Sequence, residues 1–154
     1  MNNNDLTAVL MDIRFIDRYK KICEDYNDFD NRLREVDFDM INKLLESFGY
    51  DYTYYSKEQF YKLVNEIDEF TFILQLVLKD GIVEPLLNIK FQENYYYPYG
   101  RFDFIPKKMG VDFDRKRYNL PKYSSEQELE KILGQIFSIF EDIKNNLVST
   151  KSQD

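Results

Sequence analysis

The sequence predicts an α+β fold, in which an antiparallel sheet of about three or more strands packs against N-terminal helices and one C-terminal helix. Three observations predict it. Apolar residues recur every three or four positions near both ends of the chain, they alternate with period two in the middle, and Asp80-Gly81 interrupts the alternating region. These periods are typical of amphipathic helices and half-buried strands. Helices from both ends would then cover one face of the sheet.

Two helices are predicted before residue 50. The first extends from Asp5 to about Asp25, with an apolar stripe at helical spacing. Asp39 is the predicted N-cap of a shorter second helix, and Gly49 follows it where a left-handed residue is favoured. The stripe of the first helix contains Leu6, Val9, Leu10, Ile13, Ile16, Tyr19, Ile22 and Cys23.

A third helix is predicted from Lys57 to about Ile67. Ser56 and Gln59 have the spacing of a capping box, in which each residue's side chain bonds the other's backbone N–H. The apolar residues that follow recur at helical spacing, so they would form one buried face: Phe60, Leu63, Val64 and Ile67.

Residues 70–91 are predicted to form a β-hairpin. Asp80-Gly81 favours a two-residue turn, and such a turn fixes the register of the strands beside it. In that register one face is entirely apolar and is expected to be buried. Its cross-strand pairs are Leu78 with Val83, Leu76 with Pro85, Leu74 with Leu87, Phe72 with Ile89, and Phe70 with Phe91.

A third strand and a final helix complete the prediction. The alternation in Arg101–Ile105 predicts the strand, ended by Pro106, so that Tyr95–Gly100 forms the connection before it. Ser124 or Ser125, with Gln127 or Glu128, opens the helix through a capping box. An uninterrupted apolar stripe follows, containing Leu129, Ile132, Leu133, Ile136, Phe140, Ile143 and Leu147.

The composition indicates one globular domain. At 154 residues, with 44% hydrophobic and 32% charged residues, the chain can bury a core without a metal or a disulfide. We predict a single domain over residues 1–148 and a frayed polar tail over 149–154. The single Cys23 is interpreted as a small apolar helix residue in a reducing compartment.

Most enzyme classes lack their usual residues in this chain. It contains no histidine, and its five glycines form no phosphate-binding loop. An Asp-Phe-Asp tripeptide occurs at residues 28–30, 37–39 and 112–114, and paired carboxylates can bind a hard cation. No third ligand follows at a suitable spacing, so Phe29, Phe38 and Phe113 are interpreted as core anchors between exposed acids. We predict no enzyme activity, no cofactor and no metal site.

The charge is distributed unevenly. Residues 24–39 contain seven acids and two arginines, a net charge of −5 within a chain of net charge −7. Residues 101–123 contain seven bases and three acids, a net charge of +4. An acidic chain is a poor ligand for nucleic acid, so a basic protein partner is favoured. The predicted partner-binding acids are Asp28, Asp30, Asp37 and Asp39.

Tyrosine is concentrated in two short segments, residues 50–61 and 95–99. Some of these rings are expected to cover the core with their hydroxyls at the surface. Three consecutive tyrosines cannot all be buried, and exposed tyrosines are frequent in binding loops. The remaining predicted partner-binding residues are therefore Tyr95, Tyr96, Tyr97 and Tyr99, together with Arg101, which follows the loop.

The chain is predicted to be cytoplasmic and to have no membrane partner. Its N-terminus has no basic region, and Asp12 and Arg14 interrupt its apolar stretch, unlike a secretion signal. No apolar run approaches the roughly 18 to 20 residues of a membrane span.

Several features together resemble the immunity proteins of bacterial polymorphic-toxin and contact-dependent inhibition systems. They are the small, acidic, histidine-free chain, the D-G-I-V hairpin, the Y-P-Y-G-R-F-D-F-I-P segment and the S-S-E-Q-E-L-E-K-I-L helix. The resemblance implies a non-catalytic protein that binds one toxin domain, often a nuclease. Alternatives are an adaptor or secretion chaperone, an inhibitor that mimics nucleic acid and, least favoured, a carboxylate enzyme.

Overall fold

The computed structural model describes residues 4–35 and 37–152. The helices in this part of the chain are α1 (Thr7–Asp12), α2 (Phe15–Asp25), α3 (Phe38–Ser47), α4 (Ile105–Lys108) and α5 (Glu126–Ser152). The strands are β1 (Thr53–Tyr55), β2 (Phe60–Ile67), β3 (Phe70–Lys79), β4 (Ile82–Phe91), β5 (Asn94–Tyr95) and β6 (Gly100–Arg101).

The α+β prediction is confirmed. The strands form one antiparallel sheet in the order β1-β2-β3-β4, and the short strands β5 and β6 both pair with β4. The N-terminal helices and α5 pack together against one face of this sheet, and one contiguous core fills the space between them. The other face of β3 and β4 contains no buried residue, so the sheet is covered on one side only.

The central hairpin has the predicted register. Leu74 lies opposite Leu87, and each of the other four predicted pairs is also formed. Asp80 and Gly81 both have positive φ, 59° and 69°, as a type I′ turn requires. The β3 side chains of the apolar face are all buried, so the turn residues and the alternation together were sufficient to define this element.

The predicted third helix is wrong: residues 60–67 form strand β2. Tyr61, Leu63 and Ile67 point to the core face, whereas Val64 lies on the open face opposite Ile73 and is exposed. Asp68-Glu69, with φ of 55° at Asp68, forms a second two-residue turn into β3. Helical spacing of the apolar residues was accidental, because pairing with β3 over seven residues outweighs a weak local helix preference.

The predicted third strand is also largely wrong, because β6 ends at Arg101. Phe102 and Ile105, three residues apart, are both buried, which suits a helical turn better than an extended strand. Asp103 is fully buried and bonds two arginines, so the chain bends around it. Pro106 lies in the first turn of α4, where its missing N–H is not needed, rather than ending a strand.

Three helix boundaries also differ from the prediction. The first helix is broken at Arg14, which has φ of 60°, into α1 and α2. Asp37 rather than Asp39 caps α3, since its carboxylate accepts a 3.1 Å hydrogen bond from the Met40 amide. Helix α5 extends through Ser152, so most of the predicted frayed tail is helical, and residues 153–154 lie outside the described residues.

Helix α5 begins with the predicted capping box. The Glu128 amide donates to the Ser125 hydroxyl at 3.1 Å, and the Glu128 carboxylate accepts from the Ser124 amide at 2.8 Å. All seven residues of the predicted stripe are buried, so the stripe is covered by the sheet and the N-terminal helices and forms no open groove. Across residues 4–35 and 37–152, no helix combines the length and the apolar character needed to cross a bilayer.

Candidate functional site

An open cleft of about 630 Å³ lies between α3 and the β1 side of the sheet. We call it the aromatic cleft, because rings form much of its wall: Phe38 from α3, Tyr52 and Tyr54 from the β1 segment, and Tyr61 from β2. The other lining residues are Asn42, Ser56, Gln59, Leu78 and Lys79. A pocket of this size, with a few polar groups among apolar ones, is suited to a ligand or a partner side chain.

The strand register explains why these rings meet. Tyr54 lies opposite Tyr61 on the neighbouring strand, and side chains two positions apart share a face, so Tyr52 joins them. The Tyr61 ring lies 4.7 Å from Tyr54 and 5.7 Å from Tyr52, centroid to centroid. Phe38 packs edge-on against Tyr54 at 5.2 Å, so the four rings form one continuous wall.

Phe38 is not the core anchor that its Asp-Phe-Asp context suggested. It is 46% exposed at the start of α3, and Phe29 is even more exposed beneath the Arg32 guanidinium. Of the three phenylalanines in these tripeptides, Phe113 alone is buried. The prediction failed because α3 is held by Ile41, Leu44 and Leu45, which leaves its first residue free to line the cleft.

Tyr61 lines the cleft and has a buried, unsatisfied hydroxyl. The residue is only 2% exposed, and its hydroxyl forms no hydrogen bond with the described part of the chain. Burial, followed by the neighbouring phenols of Tyr54 and Tyr52, raises the pKa of Tyr61. A buried hydroxyl without a partner costs stability, and because this oxygen has almost no accessible surface, a ligand in the open cleft does not reach it.

The predicted acidic residues lie at the turn end of the central hairpin. Asp28 and Asp30 are on the loop after α2, which we call the acidic loop. Asp37 and Asp39 flank Phe38. All four are exposed, and none forms an ion pair within residues 4–35 and 37–152. The structure therefore leaves their charges available to a partner, with Asp37 and Asp39 beside the aromatic cleft.

Two contacts fix the acidic loop against this turn. Arg32 pairs with Asp80 at 3.2 Å, and the Leu33 amide donates to the Tyr123 carbonyl at 2.9 Å. A Cβ placed on Gly81 would lie only 2.5 Å from the Arg32 Cβ, so the close approach of the loop requires glycine there.

The predicted tyrosine loop contains one buried and three exposed rings. Tyr95, Tyr97 and Tyr99 are exposed, but Tyr96 is 2% exposed and stacks with Phe70 at 6.1 Å. The proposal that Tyr96 could anchor a partner is therefore corrected: its ring belongs to the core. The reason is that side chains alternate between the two faces of the sheet after β5. The Tyr96 amide donates a 2.8 Å hydrogen bond to the Ile89 carbonyl.

Backbone hydrogen bonds hold the exposed part of this loop. The Tyr97 amide donates to the Asn4 carbonyl at 2.8 Å, and the Leu6 amide donates to the Tyr97 carbonyl at 2.6 Å. Lys108 donates to the Tyr99 carbonyl at 2.6 Å and lies 4.9 Å from the Tyr99 ring. The loop is thus attached to the N-terminal segment and has a cation beside it.

Arg101 belongs to a partly exposed ionic cluster around the buried Asp103 rather than to the open surface of the loop. Its guanidinium donates to the fully buried Asp103 at 2.6 and 3.0 Å, and Arg115 donates to the same carboxylate at 3.1 Å. Glu84 lies 3.7 Å from Arg101 on its other side. Since a buried carboxylate needs such partners, the main role of Arg101 is to hold the chain around Asp103.

The two predicted binding regions do not converge. The acidic loop contacts the turn at Asp80-Gly81, whereas Tyr95 pairs with Lys90, nine residues along β4 from Gly81. A strand rises about 3.3 Å per residue, which separates these points by roughly 30 Å. Gly100, next to Tyr99, pairs with Leu87, roughly 20 Å from the turn. The acids and tyrosines therefore belong to different surfaces.

Sequence reasoning missed the aromatic cleft. Tyr52 and Tyr54 were noticed only as part of a tyrosine-rich segment, and their two-residue spacing was the signal that they share a strand face. Assigning residues 57–67 to a helix hid the neighbouring position of Tyr61. Phe38 carried no signal, because a phenylalanine at the start of a helix is as easily buried as exposed.

Cys23 and the acidic side chains are the remaining candidates for reactive or metal-binding groups. Burial, the largest cause, raises the pKa of Cys23 to about 12, which keeps the thiol protonated and unreactive. Within residues 4–35 and 37–152 no three acidic or cysteine side chains come together in a group that could hold a metal ion.

Comparison with known proteins adds no family. No protein-family model matches the chain, and no curated protein or solved structure is significantly similar to it. The resemblance to immunity proteins stays a prediction.

Proposed function

We propose that this protein is an immunity-type inhibitor that binds and neutralises a basic toxin domain through the turn end of its central hairpin. The observation that supports this most is the combination of four exposed carboxylates, without ion-pair partners in the described chain, and an open aromatic cleft beside two of them. Carboxylates accelerate the encounter with a basic partner, and aromatic pockets supply contacts that slow its release.

The rival functions have less support. A secretion chaperone would need an accessible apolar groove, but the long stripe of α5 is covered. An inhibitor that mimics nucleic acid would carry carboxylates at phosphate-like spacing over a long face, whereas the predicted acids lie on one loop and one helix start.

Co-expression tests the proposed function. The C-terminal domain encoded by the gene immediately upstream would be expressed in a host, with and without this protein. We expect growth arrest that this protein relieves, and a complex that co-purifies at one-to-one stoichiometry. Growth arrest that is unaffected by well-expressed, folded protein would refute the proposal.

Paired surface variants would then identify the face that binds. Tyr54→Leu with Phe38→Ala alters the cleft, and Tyr97→Ala with Tyr99→Ala alters the tyrosine loop; each pair removes two aromatic side chains. The proposal predicts loss of protection from the first pair only. Loss from the second pair alone would place the toxin on the opposite end of the sheet.

A further inference from the structure

Exposed aromatic rings elsewhere on the molecule are already in contact with cations of the chain itself. The Cζ of Arg32 lies 3.7 Å from the Phe29 ring centroid, and the Cζ of Arg115 lies 3.7 Å from the Phe104 centroid. Over the rings of the aromatic cleft, by contrast, no lysine or arginine of the described chain is placed. The cleft therefore offers aromatic rings to an external cation.

The polar lining of the cleft includes hydrogen-bond acceptors. Asn42, Ser56 and Gln59 line it and carry side-chain oxygens that can accept. A guanidinium has five N–H donors in a plane and no acceptor, so it can stack on a ring while donating to such oxygens. An ammonium group has no plane with which to stack.

The charges around the cleft favour a cation, with one exception. Asp37 and Asp39 are the sequence neighbours of the lining residue Phe38 and are exposed. Lys79 also lines the cleft and would oppose an incoming positive charge. Because Lys79 is exposed, its flexible side chain can move into solvent. Removing the Lys79 charge by substitution therefore tests whether the ligand is positively or negatively charged.

We propose that the aromatic cleft is a binding site for an arginine side chain, presented by a basic protein partner. The guanidinium stacks on the aromatic wall and donates to side-chain oxygens of Asn42, Ser56 or Gln59, while Asp37 and Asp39 attract it. The identity of the partner as a toxin rests on the proposed function, but the arginine site itself does not.

Titration with a blocked arginine tests the site without a toxin. Nα-acetylarginine N-methylamide is added to the full-length protein, and the ring resonances of isotope-labelled tyrosine are followed by NMR. We expect shifts in Tyr52, Tyr54 and Tyr61 with a dissociation constant of about 1 to 10 mM, typical of a single side chain. The citrulline analogue, which keeps the shape but lacks the charge, should bind about tenfold more weakly.

Matched variants define the location. Phe38→Ala should weaken arginine binding about tenfold, because Phe38 contributes a ring to the cleft wall. Phe29→Ala is the control, since Phe29 is also exposed within an Asp-Phe-Asp tripeptide but lies outside the cleft. Equal binding of arginine and citrulline, or shifts confined to Tyr97 and Tyr99, would overturn the proposal.

The Lys79→Ala variant tests whether the cleft binds a cation or an anion. Removing this nearby like charge should tighten arginine binding about threefold. Weaker binding would show that the cleft favours anions, which contradicts the proposal.

The arginine site and the immunity function can fail separately. If arginine binds in the cleft but co-expression gives no protection, the immunity function fails and the site stands. If co-expression protects the host but arginine does not bind in the cleft, the immunity function stands and the arginine site fails.

Discussion

The two tyrosine-rich segments are alike in composition but have different surroundings. In the segment from Tyr50 to Tyr61, Tyr52 and Tyr54 line an open cleft near acidic side chains, and the Tyr50 hydroxyl bonds Glu141. In the segment from Tyr95 to Tyr99, backbone hydrogen bonds tie the loop to residues 4–6, and its charged neighbour is Lys108.

This difference shows what composition can and cannot indicate. Clustered tyrosines correctly mark surfaces rich in exposed rings, because such a cluster is too large to bury completely. Whether a ring faces solvent, a cleft or the core depends on strand register and on neighbours distant in sequence. Tyr96 and Tyr97 are adjacent, yet one is in the core and the other is at the surface.

The largest expected effect separates these two neighbours. Tyr96→Ala should destabilise the protein by about 3 to 5 kcal/mol, because it removes a buried ring packed on Phe70. Tyr97→Ala should change stability by less than about 0.5 kcal/mol. Urea denaturation of both variants measures the difference, and equal stabilities would mean that the loop is not anchored by Tyr96.

Arg101→Ala should have the next largest effect. The substitution leaves buried Asp103 with Arg115 as its remaining described ion-pair partner, which should cost about 3 kcal/mol. Lys108→Ala is the control, because it removes a cation from the same region without exposing a buried charge. If both variants unfold at the same urea concentration, Arg101 is not structural, and its predicted role in partner binding regains support.

Sequence patterns predicted those elements whose local signals were strong and mutually consistent. The β3–β4 hairpin had a specific turn and an apolar face ten residues long, and α5 had a capping box and a long stripe. The strand β2 is also followed by a two-residue turn, Asp68-Glu69, but that turn has positive φ only at Asp68, and accidental helical spacing concealed the strand. Its assignment depended on pairing with β3, a contact that local patterns do not contain.

The candidate site was less predictable than the fold for a related reason. The exposure of Asp28, Asp30, Asp37 and Asp39 follows from their polarity and was anticipated. The cleft joins residues from α3, β1, β2 and β3, so it exists only after the sheet register is known. The burial of Asp103 between two arginines likewise depends on residues twelve positions apart, and an Arg-Phe-Asp sequence alone suggests alternation instead.

Alkaline pH should distinguish the buried tyrosines from the exposed ones. Burial raises the pKa of Tyr123 to about 12. Burial also raises the pKa values of Tyr19 and Tyr61. Above about pH 10 the unfolded chain loses these protons while the folded chain keeps them, so stability falls as pH rises. Absorbance at the phenolate band should show these three ionising only together with unfolding, monitored by circular dichroism. Their ionisation in the native protein would contradict the assigned burial.

The smallest expected effect concerns the acids, and it depends on the proposed function. Replacing Asp28, Asp30, Asp37 and Asp39 by Asn should slow association with the toxin on the order of tenfold at about 20 mM salt, because exposed charges mainly steer encounter. Asn preserves the cap at Asp37, so folding should be unaffected. The difference should shrink at about 300 mM salt, where the Debye length is shorter than at physiological ionic strength.

A matched charge control decides whether the position of these acids matters. The control uses four other exposed acids, which form no ion pair within the described chain and lie outside residues 24–39: Asp12, Asp17, Glu66 and Glu93. Neutralising these four changes the net charge from −7 to −3, as the first set does, because each set removes four negative charges. Stopped-flow association rates should fall much less for this control. Equal slowing of both sets would show that net charge alone attracts the toxin, and the turn end of the hairpin would lose its special role.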